Sequence, residues 1–372
     1  MGTTTKMEKL VMLDVLKKTY AGKKVFLTGH TGFKGSWLLV MLKELGAEVV
    51  GFSLKPESEK DLYHQINGDQ LCTSIIGDIR YRERVKHAIL DFQPDFVIHM
   101  AAQALVIPSY ADPLGTMDTN VMGTLHVLDA FRQLDKPCVM VNITTDKVYE
   151  NKERLEPYTE DEPKGGYDPY SASKAAAEIV SQSYRLSFLN PDQYDTHHKS
   201  MSTVRSGNVI GGGDWNEARI IPDLARALGQ NEKLVLRNPK AVRPWQHVLD
   251  PLYGYLLLGA RMAQDPVAFA SAYNFGPEPE NELTVEELVQ ISIDVWGSGS
   301  YEVQQVEGQL HEAGLLKLDI QKAKSTLNWQ PMLNAKDTVS WTIDWYKTTE
   351  SQWAKKTTAQ VRSYFDKLAS FA

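Results

Sequence analysis

Two short segments of this chain carry side chains able to move protons at a carbon-bound hydroxyl. Tyr170-Ser171-Ala172-Ser173-Lys174 stands at the head of a predicted helix. A Tyr and a Lys at i and i+4 share one helical face. An ammonium near a phenol, and near a positively charged nicotinamide, favours phenolate and lowers the tyrosine pKa. That makes a general base for taking an alcohol proton while hydride leaves the carbon. Roughly 23 residues earlier, Thr144-Thr145-Asp146-Lys147-Val148-Tyr149 follows the apolar run 139–143. This strand end brings a hydroxyl, a carboxylate and an amine together. A lone YxxxK is a common accident, and it gains meaning from what precedes it in the chain.

What precedes it is a phosphate cradle. Gly29-His30-Thr31-Gly32-Phe33-Lys34-Gly35 directly follows the apolar strand 24–28 and opens a helix. The spacing is GxxGxxG, one residue wider at its start than GxGxxG. Gly29 permits a tight turn, Gly32 lets backbone approach a pyrophosphate, and Gly35 lets helix and strand pack closely. The helix N-terminus adds free N–H groups and partial positive charge. Thr31, Phe33 and Lys34 belong to the same cofactor-binding segment. The second strand ends Gly51-Phe52-Ser53-Leu54-Lys55, without the acidic residue that usually grips an adenosine ribose. Ser53 could bond a ribose hydroxyl and Lys55 could accommodate a 2′-phosphate, so NAD and NADP both stay open at this point. After the strand 73–76, Asp78 and Ile79 could meet the adenine; for Asp78, a helix N-cap is an equally economical reading.

These motifs require an alternating framework. Strands are expected at 24–28, 48–54, 96–100 and 138–143, separated by helices at 32–45, 82–92 and 116–133. Strand–helix alternation implies right-handed crossovers and a parallel sheet, and the continuous apolar strands suit a sheet covered on both faces. The expected fold is α/β: a Rossmann-type doubly wound parallel sheet with a smaller C-terminal substrate-binding lobe. The dinucleotide-binding domain is assigned to residues 1–206 with a return segment at about 244–272. The lobe is assigned to 207–243 and 273–372. The aromatic stripe Trp341, Trp345, Tyr346 and Trp353 reads as helix packing.

Composition narrows the function. The 372 residues carry 40 Lys and Arg against 47 Asp and Glu, a net charge of −7, which argues against a nucleic-acid partner. No apolar run approaches the roughly 18 residues of a membrane span. Asp14, Lys17 and Lys18 interrupt what would be the apolar part of a signal peptide. Two cysteines, Cys72 and Cys138, exclude a disulfide framework, and a reduced cytoplasmic setting is expected. The nine histidines form no HxH or HExxH pattern, so no metal site is expected.

The motifs together resemble the extended short-chain dehydrogenase/reductase family, over nearly the whole chain. The resemblance implies NAD as cofactor, Thr145, Tyr170 and Lys174 as the hydride-transfer triad, and Asn120 as a support of the central helix. Ala101, Ala102 and Gln103, within AAQALV, are implied to line the cofactor. Within the family the chain is similar to nucleotide-sugar 4,6-dehydratases. Thymidine-linked members carry Thr-Asp-Glu where this chain has Thr145-Asp146-Lys147. A lysine at the third position is similar to members acting on CDP-D-glucose, as are GHTGFKGSW, GNVIGGGDW, RPWQHVLD and LKLD.

The implied reaction oxidises the sugar at C4, eliminates water across C5 and C6, and returns hydride to C6. Tyr170 is then assigned to the C4 hydroxyl, Asp146 to the leaving C6 hydroxyl, and Lys147 to the C5 hydrogen. A charged ammonium cannot be a base. Lys147 must therefore lose its proton, stabilise an enolate while charged, or merely pair with Asp146. Ser109, Asn208, Arg219, Arg243, His311 and Glu312 are implied substrate contacts, arginine being suited to bidentate phosphate recognition. A nucleotide-sugar 4-epimerase shares cradle, triad and fold but has no water to expel. A dehydratase for another nucleotide-glucose and a non-catalytic NAD-binding regulator complete the alternatives. Copies are expected to pair as homodimers or homotetramers through the helices at 116–133 and 170–187.

Overall fold

In the computed structural model, which describes residues 12–217, 219–304 and 315–370, seven strands form one parallel sheet. They are β1 (Lys24–Thr28), β2 (Glu48–Ser53), β3 (Thr73–Ile76), β4 (Phe96–His99), β5 (Cys138–Ile143), β6 (Lys199–Ser206) and β7 (Ala272–Phe275). Their order is β7-β6-β5-β4-β1-β2-β3. The pleat explains why these strands are apolar throughout. Val25, Leu27, Ile98, Val139 and Val141 enter the core on one face, and Phe26, Val97, Met140 and Met201 enter the core on the other. The order reverses between β1 and β4, which leaves a crevice beyond their C-terminal ends. The cradle and the segment after His99 both open there.

Helices α1 (Met12–Tyr20) and α2 (Phe33–Glu44) cover the first face with α7 (Leu249–Gln264). Helices α3 (Arg82–Phe92) and α4 (Gly123–Arg132) cover the second. Between α4 and β6 in the chain lies α5 (Pro169–Ser187), capped by Asp168 and carrying Tyr170 and Lys174. The helix expected over 116–133 is broken into three parts: Pro113–Met117, a π-helical turn Asp118–Met122, and α4. A wider turn re-aims a side chain, and here it leaves Asn120 buried and pointing inward.

The remaining elements hold the rim of the crevice. Val209–Ile210 pairs with Gln246–His247, Val242–Arg243 with Leu283–Thr284, and Lys233–Leu236 with Ser300–Val303. Helix α6 (Ile220–Gln230) starts at Arg219, and α8 (Val285–Trp296) opens with a capping box between Thr284 and Glu287. Helix α9 (Ala335–Lys347) packs on α8, while α10 (Trp353–Ser370) returns to α1 and α2. That return explains why α2 is buried almost all round, from Gly35 to Leu42, rather than along one stripe. Arg362 of α10 also pairs with Glu44 at 3.0 Å.

Asp250, in the first turn of α7, fastens these layers. One carboxylate oxygen accepts the Met332 N–H and the Tyr364 hydroxyl, each at 2.7 Å, while the other has no partner. Burial pushes this carboxyl up to about 7, against 3.8 for the free group. Between those values the native state holds a proton that the unfolded chain has lost. The contribution to stability is therefore complete below 3.8 and is lost as pH rises through 7. Asp250→Asn should flatten this dependence, with its gain over wild type largest above pH 7 in urea titrations.

Candidate active site

The cradle meets the steric demands placed on its glycines. Gly29 has φ +76°, and a Cβ there would lie 2.8 Å from the Ala101 nitrogen. A Cβ on Gly35 would overlap the Gly29 carbonyl oxygen. Gly32 is exposed, and a Cβ there would meet only that same oxygen, at 3.5 Å. No side chain caps α2 at Gly32, so its first N–H groups face the crevice beside an open surface. The residues present thus fit a pyrophosphate. At the adenosine end, the Thr31 hydroxyl bonds the Leu54 carbonyl at 2.8 Å and the Ser53 hydroxyl at 2.9 Å. Asp78 holds Arg80 at 2.7 Å and accepts its backbone N–H. Ile79 is buried against Gly123, and its carbonyl bonds His126.

A buried polar chain fixes the wall opposite. Thr28 Oγ1 accepts the N–H groups of Met100 and Ala101, so its own proton goes to His99 Nδ1 at 2.7 Å. Thr124 donates to the Asn120 carbonyl and accepts from His99 Nε2 at 3.1 Å. His99 is therefore the neutral Nε2–H tautomer. Burial and the Lys174 charge hold it down at about 3. The Asn120 side chain accepts the Gln103 N–H at 2.8 Å and donates to the Gln103 carbonyl and to Ser173 Oγ. Ser173 in turn donates to the Tyr170 carbonyl. The segment carrying Ala101, Ala102 and Gln103 is thereby tied to the helix carrying Tyr170 and Lys174. Ser109 performs a similar task. Its hydroxyl donates to Val106 and accepts the Tyr170 N–H at 3.1 Å, so it supports the helix head.

The reactive groups converge out of water. Thr145, Asp146, Tyr170 and Lys174 are all buried, and Lys147 is half-buried in the short turn Asp146–Val148. The Thr145 hydroxyl donates to Asp146 Oδ1 at 2.9 Å and also contacts the Tyr170 phenol. The Tyr170 phenol is governed by its burial and its charged neighbours. Burial drives it up to about 12, the Thr145 contact opposes this, and the Asp146 charge adds to it. Lys174 donates to the Ile143 carbonyl at 3.2 Å, and burial with the Lys34 charge brings it down to about 8 against the pull of Glu178. Lys34 is partly exposed as a residue, but its ammonium ends inside. It donates to Tyr255 at 3.0 Å and Ser206 at 3.3 Å, and burial and Arg219 lower it to about 7 against the charge of Asp146.

A cavity of about 240 Å³ adjoins Asp146 and is lined by Gly207, Gln246, Pro277, Lys317 and Leu318 among others. Gly207 makes room for the carboxylate, since a Cβ there would collide with Asp146 Oδ2. Lys317 pairs with Glu282 at 2.7 Å in its wall. Of the residues assigned to the substrate, Arg219 pairs with Asp214 at 2.8 Å, and its charge reaches Tyr170 and Lys34. Asn208 adopts φ +48° next to Gly207, and Arg243 is half-buried in the small strand beside Leu283. His311 and Glu312 lie outside the described residues. Sequence reasoning did not single out Gly207, His99, Glu178 or Arg205. Glu178 had a signal: it lies one turn beyond Lys174 on the same face, a charge inside an alanine-rich stretch.

Among the described residues no group of three His, Cys, Asp or Glu side chains could hold a metal ion. The profile of the family described as "GDP-mannose 4,6 dehydratase" matches residues 26–342. The CDP-glucose 4,6-dehydratase of Salmonella typhimurium strain LT2 is 45% identical over 336 residues, 90% of this chain and 93% of that protein. The CDP-paratose 2-epimerase of Salmonella typhi is 27% identical over 87% of this chain and 98% of its own. Among solved structures, the UDP-glucose 4-epimerase of Thermus thermophilus in complex with NAD superposes with a TM-score of 0.73 at 25% identity, covering 88% of this chain and 99% of that one. DesIV, the dTDP-glucose 4,6-dehydratase of Streptomyces venezuelae with NAD and TYD bound, gives 0.73 at 24%, covering 90% and 99%.

The buried Lys34 ammonium has a measurable signature. Its native pKa, about 7, lies below the 10.5 of the free group, so below pH 7 both states are charged and the burial penalty is complete. As pH rises from 7 to 10.5 the native state sheds its proton first and the penalty is relieved. Lys34→Met should therefore exceed wild type in stability most at about pH 6, with the difference shrinking by about pH 9 in urea titrations.

Proposed function

The chain belongs to the GDP-mannose 4,6-dehydratase family of extended short-chain dehydrogenases/reductases, and from that premise we propose that it is a redox-neutral lyase dehydrating CDP-D-glucose to CDP-4-dehydro-6-deoxy-D-glucose. The observation carrying this reading is the placement of Asp146 and Lys147 directly after Thr145, in one short turn whose carboxylate borders the cavity. A 4-epimerase has no water to expel and no use for that pair. The cytidine nucleotide rests on the 45% identity to the Salmonella enzyme.

The cofactor is NAD, held by the segment from Gly29 to Gly35 on one side and Ala101 to Gln103 on the other; when bound, it accepts hydride from C4 of the hexose and returns it to C6. Tyr170, shared with the Thr145 hydroxyl, takes the proton of the C4 hydroxyl. Its phenol must be brought down from about 12; the Arg219 charge already presses it down, and we assign Lys174, one turn on along α5, to the same task. Oxidation at C4 acidifies the C5 hydrogen. Asp146, an anion in the resting site, acts in its protonated form in this step. It must first take up a proton, balanced by the C4 hydroxyl proton released through Tyr170, and it gives that proton to the departing C6 hydroxyl, which leaves as water. Lys147 acts at C5, either taking the proton as a neutral amine and later returning it, or stabilising the enolate as a cation while another group takes and returns the proton. C5 is reprotonated as C6 is reduced, so the net change is loss of one water. Arg219 and Arg243 are assigned to the pyrophosphate and Asn208 to the sugar nucleotide.

No helix among the described residues is long and apolar enough to cross a membrane. We place the protein in the cytoplasm, where its nucleotide-sugar substrate is made. Ile107, Leu114, Met122 and Ile179 are exposed on the helices around α5, and pairing of copies in a homodimer or homotetramer would cover them.

Incubation with CDP-, dTDP-, GDP- and UDP-glucose should yield a 4-keto-6-deoxy product fastest with the cytidine sugar. Lack of any such product from all four would sink the reading. Lys147→Ala should abolish solvent-deuterium uptake at C5 while sparing oxidation at C4, measured by mass spectrometry of the sugar. Gly207→Ala should expel the Asp146 carboxylate from its place and cut product formation roughly 100-fold or more, with the melting temperature reporting that the fold survives.

A further inference from the structure

The turn carrying Asp146 and Lys147 is short, and the Gly165 N–H bonds its Val148 carbonyl at 2.9 Å. What else holds it lies beneath. Glu178, one turn beyond Lys174 on α5, forms a buried ion pair with Arg205 on β6, with side chains 5% and 2% exposed. The contact is two-pronged: Nε to Oε1 at 3.0 Å and the terminal nitrogen to Oε2 at 2.9 Å. Each partner then takes one end of the turn. Thr144, just before it, donates its hydroxyl to Glu178 Oε1 at 2.5 Å. Tyr149, just after it, accepts from the other Arg205 nitrogen at 2.7 Å and donates to Asn274 Oδ1 on β7 at 2.7 Å. Thr203 and the Glu160 carbonyl satisfy what remains of the pair.

A buried ion pair is weak evidence for stability, because desolvation offsets much of the attraction. Its value here is geometric. Guanidinium and carboxylate are planar and mutually locked, so they form a rigid plate. Resting on the functional reading above, we propose that the Glu178–Arg205 plate is a positioning device for the elimination step, clamping both flanks of the turn so that Asp146 and Lys147 address C5 and C6. Tyr170, at the head of α5, has supports outside the clamp as well, from Ser109 and from Ser173, itself held by Asn120. Asp146 and Lys147 are placed by the turn, whereas Tyr170 has these further supports, so loosening the clamp should impair dehydration more than oxidation.

The test uses Thr144→Val and Tyr149→Phe, which leave the ion pair in place, with Thr144→Ser as the variant that retains the hydroxyl. Product formation should fall roughly tenfold to 100-fold in the first two, with KM nearly unchanged. Hexose oxidised at C4 but not dehydrated should accumulate, seen as a build-up of reduced-nicotinamide absorbance in a single turnover. Thr144→Ser should restore wild-type partition. In the resting protein, amide hydrogen exchange of residues 145–149 should quicken in the valine and phenylalanine variants. A fall in melting temperature with wild-type partition between oxidation and dehydration, or unchanged exchange of the turn, would overturn the clamp while leaving the function intact. Wild-type protein that makes no 4-keto product overturns the functional reading itself, and with it the clamp's stated role.

Discussion

A single buried carboxylate sets the electrical balance of this site. Asp146 lies where a side chain at 207 would otherwise be, and it is the anion among Lys34, Arg219 and the phenol of Tyr170. Its charge holds Tyr170 up and Lys34 up, while Arg219 presses both down. In a water-poor crevice such charges act on one another strongly, because little solvent screens them. A change in the charge of Asp146 is therefore felt at the phenol through the Thr145 hydroxyl that touches both. Oxidation and dehydration, which use different side chains, share this one hydroxyl.

The cradle, the parallel strand–helix alternation and the Tyr170–Lys174 pair were legible in the sequence because each is local or periodic. GxxGxxG after a strand states its own steric reason, and the structure bears it out at Gly29 and Gly35. The first five strands of the parallel sheet follow from short strand-like runs separated by helices, while β6 and β7 were not read from the sequence. What was not legible depends on strands far apart in sequence lying side by side. Gly207 meets Asp146 because β5 and β6 pair in register, Ile143 beside Val204, and Arg205 meets Glu178 because α5 packs on β6. The Asn120 turn was missed for another reason: a π turn leaves no pattern in apolar periodicity, since it shifts the phase by one residue only.

Support for the substrate side comes from far along the chain. Tyr346 on α9 donates to the carbonyls of Asp214 and Gly211, at 2.5 and 3.3 Å. Trp37 on α2 donates to the Gly212 carbonyl at 2.9 Å, and Trp345 fills the space a Cβ at 212 would need. Asp214 then holds Arg219. The aromatic stripe of the tail is packing, as its spacing suggested, yet the packing sets the loop that presents the arginine we assign to the pyrophosphate. Trp345 and Trp353 stack at 4.8 Å behind it, joining α9 to α10.

The closure of α10 over α2 has a consequence for how the protein is made. The helix that opens the dinucleotide cradle emerges early from the ribosome, but its outer cover is translated roughly three hundred residues later. Until then Leu39, Val40 and their neighbours present an oily surface to whatever the nascent chain encounters. Folding of the cradle during synthesis can start but cannot finish, and a chaperone that shields apolar helices has a natural client in the unfinished chain.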